Sequence, residues 1–194
     1  MNAILDSNGE LAKITGQVIN INDDVIRRTE FLKLIEKDQL SGLMNRISAQ
    51  NTIVEALKNP NKKYAFLMMD IDYFKSFNDT FGHPVGDKVI IEVARALEKA
   101  FAGDNNIVSR FGGDEFAVFI EYTNKKEIED SLIKLSEQVK EIGDVLSLPT
   151  TITLSIGLAL APFDANNFDD LFLKADEALY KVKSSGKAHW SWFN

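Results

Sequence analysis

The amino-acid sequence predicts an α+β domain: a central sheet containing antiparallel strands, flanked by helices in the order of a split β-α-β, ferredoxin-like sandwich. Three observations carry that expectation. The continuous apolar run Tyr64-Ala65-Phe66-Leu67-Met68-Met69 reads as a strand buried on both faces. Two more strand-like runs, 107–111 and 116–120, are separated by Gly112-Gly113, whose access to positive φ suits a hairpin reversal. Apolar residues also recur at helical spacing: Val89, Ile90, Val93, Ala94 and Leu97; Ile128, Leu132, Leu135, Val139 and Ile142; Phe168, Leu171, Phe172, Ala175, Leu179 and Val182.

In chain order, residues 1–37 stand apart as an N-terminal extension, and 38–194 form the sandwich. Asp6-Ser7-Asn8-Gly9 is a turn signal, 11–21 is strand-like, and Asp23-Asp24 caps a helix over 25–36 that carries Val25, Leu32 and Ile35. The apolar run at 64–69 leads into Asp70-Ile71-Asp72, then a short helix whose aromatic residues Tyr73, Phe74, Phe77 and Phe81 read as core packing rather than base stacking. Gly82 and Gly86 fit a loop before the next helix. Residues 151–160 form a strand in which Ser155 and Gly157 permit close packing, Gly186 ends the last helix, and 189–193 is a final strand.

Composition narrows the function classes. The 194 residues, 45% of them hydrophobic, suffice for one domain of roughly 150 residues plus an extension. No apolar run approaches the roughly 20 residues of a membrane span and no leader opens the chain, so a cytoplasmic protein without membrane contact is expected. Zero cysteines exclude disulfides. A net charge of -7 argues against nucleic-acid binding, which needs a basic stripe to replace phosphate counterions.

Two acidic clusters carry the chemistry. Asp114-Glu115 follows the Gly-Gly reversal, and Asp70 with Asp72 ends the buried strand; Asp70 and Asp72 share strand parity, so neighbouring strands could bring Asp70 near Asp114. Hard oxygen donors suit magnesium, whereas the lack of cysteine and the presence of only His83 and His189 disfavour zinc. Each piece also has a plainer reading. A solvated hairpin tip would explain Asp114-Glu115, and Asp72 serves equally well as a helix cap or a metal ligand. In a regular strand Asp114 and Glu115 point to opposite faces, so one site can use both only if the turn distorts the strand.

The ordered set of motifs resembles a GGDEF domain, the family whose members are diguanylate cyclases. From Asp38 onward the matching pieces are Asp38-Gln39-Leu40-Ser41-Gly42-Leu43-Met44-Asn45-Arg46, Asp70-Ile71-Asp72-Tyr73-Phe74-Lys75, Asn78-Asp79, Gly82-His83 and Gly86-Asp87. Arg110-Phe111-Gly112-Gly113-Asp114-Glu115-Phe116, Ser155-Ile156-Gly157, and Ala175-Asp176-Glu177-Ala178-Leu179-Tyr180 with Lys183 follow. The resemblance implies a palm-like nucleotidyl cyclase fold that condenses two GTP molecules into cyclic di-GMP and two pyrophosphates across a homodimer. It implies two magnesium ions per site, with manganese as a substitute, on Asp70, the Ile71 carbonyl, Asp114 and Glu115, and it makes Asp114 the acceptor of the 3'-hydroxyl proton. The free amides of Tyr73, Phe74 and Lys75 would cradle the triphosphate, and Lys75 would add charge. Asp87 can accept guanine's adjacent N–H donors and Asn78 can serve the remaining edge, with His83 nearby; a first-turn acid complementing the helix dipole is the plainer reading of Asp87. Lys183 and Lys187 match phosphate-holding positions, and both also fit as cations at a helix C-terminus.

Two departures stand out. Lys187 occupies a position where the family has arginine, so the charge is kept and the bidentate fork lost. Gly103-Asp104-Asn105-Asn106 replaces the Arg-x-x-Asp motif of a product-binding inhibitory site, which predicts weak or absent feedback inhibition. Segment 8–21 resembles the closing strands of a PAS domain, implying an upstream sensor in the full-length protein. Two other readings stay open: a catalytically silent module binding GTP or cyclic di-GMP, and a purely structural dimerisation domain.

Overall fold

The computed structural model describes residues 2–5, 8, 11–15, 36–103 and 105–194, and the chain divides into two units, 1–35 and 36–194. In the first, β1 (Asn2–Leu5) pairs antiparallel with β2 (Leu11–Thr15), with Asn8 in the turn. The expected continuation of that strand beyond Thr15 and the helix expected over 25–36 fall almost wholly outside the described residues.

The second unit is built on a six-stranded sheet. Its elements are β3 (Met44–Asn45), α1 (Arg46–Ala56), β4 (Tyr64–Ile71), α2 (Phe74–Phe81), α3 (His83–Ala100), β5 (Ile107–Gly112) and β6 (Glu115–Glu121), then α4 (Lys125–Val145), β7 (Leu154–Ala161), α5 (Phe168–Ser184) and β8 (Trp190–Trp192). The strand order is β3-β5-β6-β4-β7-β8; the three central pairings, β5–β6, β6–β4 and β4–β7, are antiparallel, while β3–β5 and β7–β8 are parallel. β3 escaped the sequence reading because two residues have no period to detect. Among the described residues no helix is long and apolar enough to cross a membrane.

β4 explains why its sequence is continuously apolar. Ala65, Leu67, Met69 and Ile71 enter a core with α3 and α4, including Val89, Val93, Leu132 and Val139, while Tyr64, Phe66 and Met68 enter a second core with α1 and α5, including Ile53, Phe168, Leu171 and Ala175. A central strand covered by helices on both faces has no side that can be polar. Strand β7 starts at Leu154 rather than at the expected 151. β4 ends at Ile71 opposite Leu154, and past that point only the Asp72 amide remains to pair with the Thr153 carbonyl (2.9 Å).

The expected close packing at Gly157 is present: a Cβ there would lie 2.1 Å from the Ala175 carbonyl oxygen and 2.2 Å from the Leu179 nitrogen, both backbone atoms of α5. Backbone cannot step aside as a side-chain tip can. Gly157→Ala should therefore destabilise the fold by about 3 kcal/mol, read as a lowered urea midpoint at unchanged slope; an unaltered midpoint would mean that α5 does not rest on β7 this closely.

Candidate functional site

The register of β4 against its neighbours gathers the acids. Asp70 lies directly opposite Glu115 on β6 and opposite Ser155 on β7. Opposite residues in an antiparallel pair share a face, so Asp70 and Glu115 project together on the α5 side. Asp114 joins them from the turn: it precedes β6, its carbonyl accepts the Ile71 amide (3.2 Å), and a register shift between Arg110 and Gly112 frees it from strand alternation. The difficulty of opposite strand faces is thus resolved by Asp114 lying outside the strand. Burial, followed by the charges of Asp70 and Asp114, pushes the Glu115 carboxyl up from its ordinary range. Burial also raises Asp70, Lys183 partly offsets this, and Asp114 adds to it.

Lys183, in the last turn of α5, places Nζ 2.7 Å from Asp70 Oδ2. This ion pair is the cation's present partner, a more specific role than general complementation of the helix dipole.

The hairpin tip is clamped by residues that carried the resemblance without an assigned role. Arg110 donates from Nε (3.0 Å) and Nη2 (2.6 Å) to the Gly113 carbonyl and from Nη1 (2.9 Å) to Asp38 Oδ1. That Asp38 oxygen also accepts from the Ser41 amide and hydroxyl, each at 2.8 Å. Burial pushes Asp38 up, but the Ser41 and Arg110 donors outweigh it and hold the carboxyl below its usual range. The only warning in the sequence was the charge pair itself, 72 positions apart.

Asp72 is not the N-cap of α2, and although its charge adds to the rise of the Asp70 carboxyl, its own hydrogen bonds run elsewhere. Its buried carboxylate accepts from Thr153 Oγ1 (2.7 Å), Ser155 Oγ (2.6 Å) and the Ala188 amide (3.0 Å). The N-cap of α2 is Tyr73, in the left-handed region at φ 60, with no side-chain cap. Phe74 and Phe77 are buried and stacked, as expected, but Tyr73 is 66% exposed because the left-handed turn swings it outward, and Lys187 Nζ stands 3.7 Å above its ring centre. Lys75 is exposed in the first turn of α2, whose leading amides have no intrahelical acceptor.

At the other end of α2, Asn78 Oδ1 is buried without a hydrogen-bond partner. Gly86 lies inside α3, not in a loop; a Cβ there would fall 1.9 Å from Asn78 Oδ1, so this glycine lets α2 and α3 meet, while Gly82 (φ 83) makes the break between them. Asp87 is exposed past the first turn of α3, which holds no acid, so complementing the helix dipole does not explain it; His83 is exposed at the start of the same helix.

Among the described residues no three His, Cys, Asp or Glu side chains are gathered tightly enough to cage a metal ion. Magnesium does not require such a cage: one or two carboxylates plus substrate phosphates and water complete its shell. Asp70, the Ile71 carbonyl, Asp114 and Glu115 offer only hard oxygens, and the charge of Asp114 raises the proton affinity of both Asp70 and Glu115. That donor set fits a hard divalent cation.

Residues 35–189 match the family model described as "Diguanylate cyclase, GGDEF domain". The chain is 34% identical over 158 residues to the probable diguanylate cyclase DgcC of Escherichia coli strain K12, covering 78% of this chain and 41% of that protein. It spans less than half the length of the curated relatives it matches. Among solved structures, it is similar to the GGDEF domain of TpbB, or YfiN, from Pseudomonas aeruginosa, with TM-score 0.73 and 26% identity, covering 81% of this chain and 94% of that one. The GGDEF domain of DgcB from Caulobacter crescentus in complex with c-di-GMP gives TM-score 0.70 and 28% identity, covering 81% and 95%. These structures share the palm-like sheet architecture described above.

The raised Glu115 carboxyl generates a stability prediction. Because the folded protein binds this proton more tightly than the unfolded chain, stability falls as pH rises from the ordinary glutamate range through the raised value, and the full penalty is present at neutral pH. Glu115→Gln should raise the melting temperature at pH 7 by roughly 1–3 °C, with the gain shrinking as pH falls through the raised value and essentially gone below about pH 4.5. A lower melting temperature at pH 7 would show that the carboxylates are not in mutual repulsion.

Proposed function

The chain belongs to the diguanylate cyclase GGDEF-domain family, and on that premise we propose that it condenses two GTP molecules into cyclic di-GMP with release of two pyrophosphates. The observation that carries this reading is the convergence of Asp70, Asp114 and Glu115 at the end of β4. In this reading those three carboxylates and the Ile71 carbonyl hold two magnesium ions, which manganese can replace. Bound there, the ions neutralise charge building on the α-phosphate and the departing pyrophosphate.

The remaining residues bind and orient. Asp114, at the hairpin tip beside Asp70 and Glu115, accepts the proton of the attacking 3'-hydroxyl. Lys75 and the leading amides of α2 take the triphosphate, and Lys183 exchanges its Asp70 partner for phosphate oxygen. Asp87 and Asn78 receive the guanine edge, with His83 alongside; the unpartnered Asn78 oxygen supports this, since a buried acceptor without a donor is costly unless a ligand supplies one.

Each domain carries one nucleotide site, so a reaction joining two GTP molecules head to tail requires a homodimer. GTP as substrate places the reaction in the cytoplasm. An upstream sensory domain in the full-length protein would set how the two sites face each other.

Product feedback is absent in this reading. Asn106 turns its Nδ2 inward to donate to the Phe101 carbonyl (3.1 Å), and a Cβ on Gly103 would meet that amide at 2.7 Å. Where the family's inhibitory motif would offer a guanidinium, the sequence 103–106 holds none, and the Asn106 amide is spent on the chain's own backbone.

Two measurements test these proposals. With GTP and magnesium, cyclic di-GMP identified by mass spectrometry should form at a rate rising more steeply than protein concentration, and Asp114→Ala should lower that rate at least about 100-fold; GTP binding without product at any concentration would remove the cyclase reading. Added cyclic di-GMP should leave the initial rate unchanged at concentrations that do not compete with GTP. Non-competitive inhibition would reveal a feedback site of another construction.

A further inference from the structure

The end of β4, the approach to β7 and the turn between α5 and β8 meet at one buried carboxylate that the proposed chemistry does not use. Asp72 is 8% exposed, and its Oδ1 accepts from Ser155 while its Oδ2 accepts from Thr153 and from the Ala188 amide, 116 positions away. A buried carboxylate needs such donors. The third one is unusual, because it belongs to backbone in a rare conformation: Lys187 (φ 63) and Ala188 (φ 54) are consecutive left-handed residues, neither of them glycine.

Such a pair persists only where its surroundings over-determine it. Three hydrogen bonds do so here. The Lys187 amide donates to the Val182 carbonyl (3.1 Å), His189 Nδ1 donates to the Lys187 carbonyl (2.6 Å), and the Ala188 amide donates to Asp72. The first two bind the turn to itself and to α5; only the third ties it to the end of β4. Tyr73, next in the chain after Asp72, is also left-handed and presents its ring to Lys187 Nζ at 3.7 Å. Asp72 thereby fixes both partners of this cation–π pair, one through the peptide bond and the other through Ala188.

Resting on the reading that the site takes GTP, we propose that Asp72 is the positioning residue for Lys187, holding its ammonium over Tyr73 at the start of α2, from where it transfers to the triphosphate. A lysine lacks the guanidinium fork and hangs on a flexible stem, so its contribution depends on being held in place before the ligand arrives. Asp72 itself touches no substrate.

The test is a double-mutant cycle on GTP affinity in magnesium with wild type, Asp72→Asn, Lys187→Ala and the double variant, with the melting temperature of each. Asp72→Asn should weaken GTP binding about tenfold in the wild-type background and less than about twofold in the Lys187→Ala background, while lowering the melting temperature alike in both. Equal weakening in both backgrounds would make Asp72 a structural strut and overturn the proposal.

The free protein supplies a second readout that requires no nucleotide. With 13C-methylated lysines, the Tyr73 ring should shift the Lys187 signal upfield, and inorganic triphosphate should return it toward the other lysines. A Lys187 signal already among the others would overturn the proposal even in a chain that binds GTP. An upfield signal that collapses in Asp72→Asn, in a chain that binds no GTP, would sustain the positioning role and reject the nucleotide reading instead.

Discussion

Like charges gathered at one sheet register are the constraint on which this molecule turns. Asp70 and Glu115 face each other across β4 and β6 with Asp114 beside them, and burial makes the charges of Asp70 and Glu115 costlier than they would be in water. Left alone, such a cluster would splay. It is held because β4 is fastened between β6 and β7 along nearly its whole length and is buried in two apolar cores, so the strand cannot slide without moving every core residue it carries. Stability gained in the cores offsets electrostatic repulsion at the strand end.

The periphery of the cluster is arranged to the same end. Arg110 ties the Gly113 carbonyl to Asp38, so the hairpin tip that carries Asp114 cannot fold back from Asp70. Lys183 and Lys187 bring the positive charge, and each stands on a partner that a more highly charged ligand could displace: a carboxylate for Lys183, an aromatic ring for Lys187. An excess of carboxylates with cations parked at its rim suits a site completed by divalent ions and phosphates.

How much of this was legible in the sequence follows from the range of each interaction. The run at 64–69, the Gly-Gly reversal and the three apolar stripes are local patterns, and the elements they predict are present, with the strand after α4 shortened where β4 gives out. Asp70 and Asp114 could be named because each ends a readable strand. Asp72 was legible only in part: strand parity put it on the side of Asp70, whose carboxyl its charge does raise, but the cap reading failed because the chain turns left-handed at Tyr73, and the partners of Asp72 are 81 to 116 positions away. Tyr73 was grouped with its aromatic neighbours for the same reason, since helical spacing cannot announce that the helix starts one residue later. Gly86 read as a loop residue because glycine usually breaks helices, whereas here a missing side chain serves contact between α2 and α3.

The central claim, that Asp70, Asp114 and Glu115 act as one oxygen site completed by nucleotide, is tested most directly by electron paramagnetic resonance of manganese with a GTP analogue whose α–β bond cannot be cleaved. The signal of free manganese should be taken up by the protein when the analogue is present, only weakly without it, and not in Asp70→Asn. Uptake that is undiminished in Asp70→Asn, or that is equally strong without nucleotide, would contradict the account, because the metal would then be held somewhere other than the end of β4.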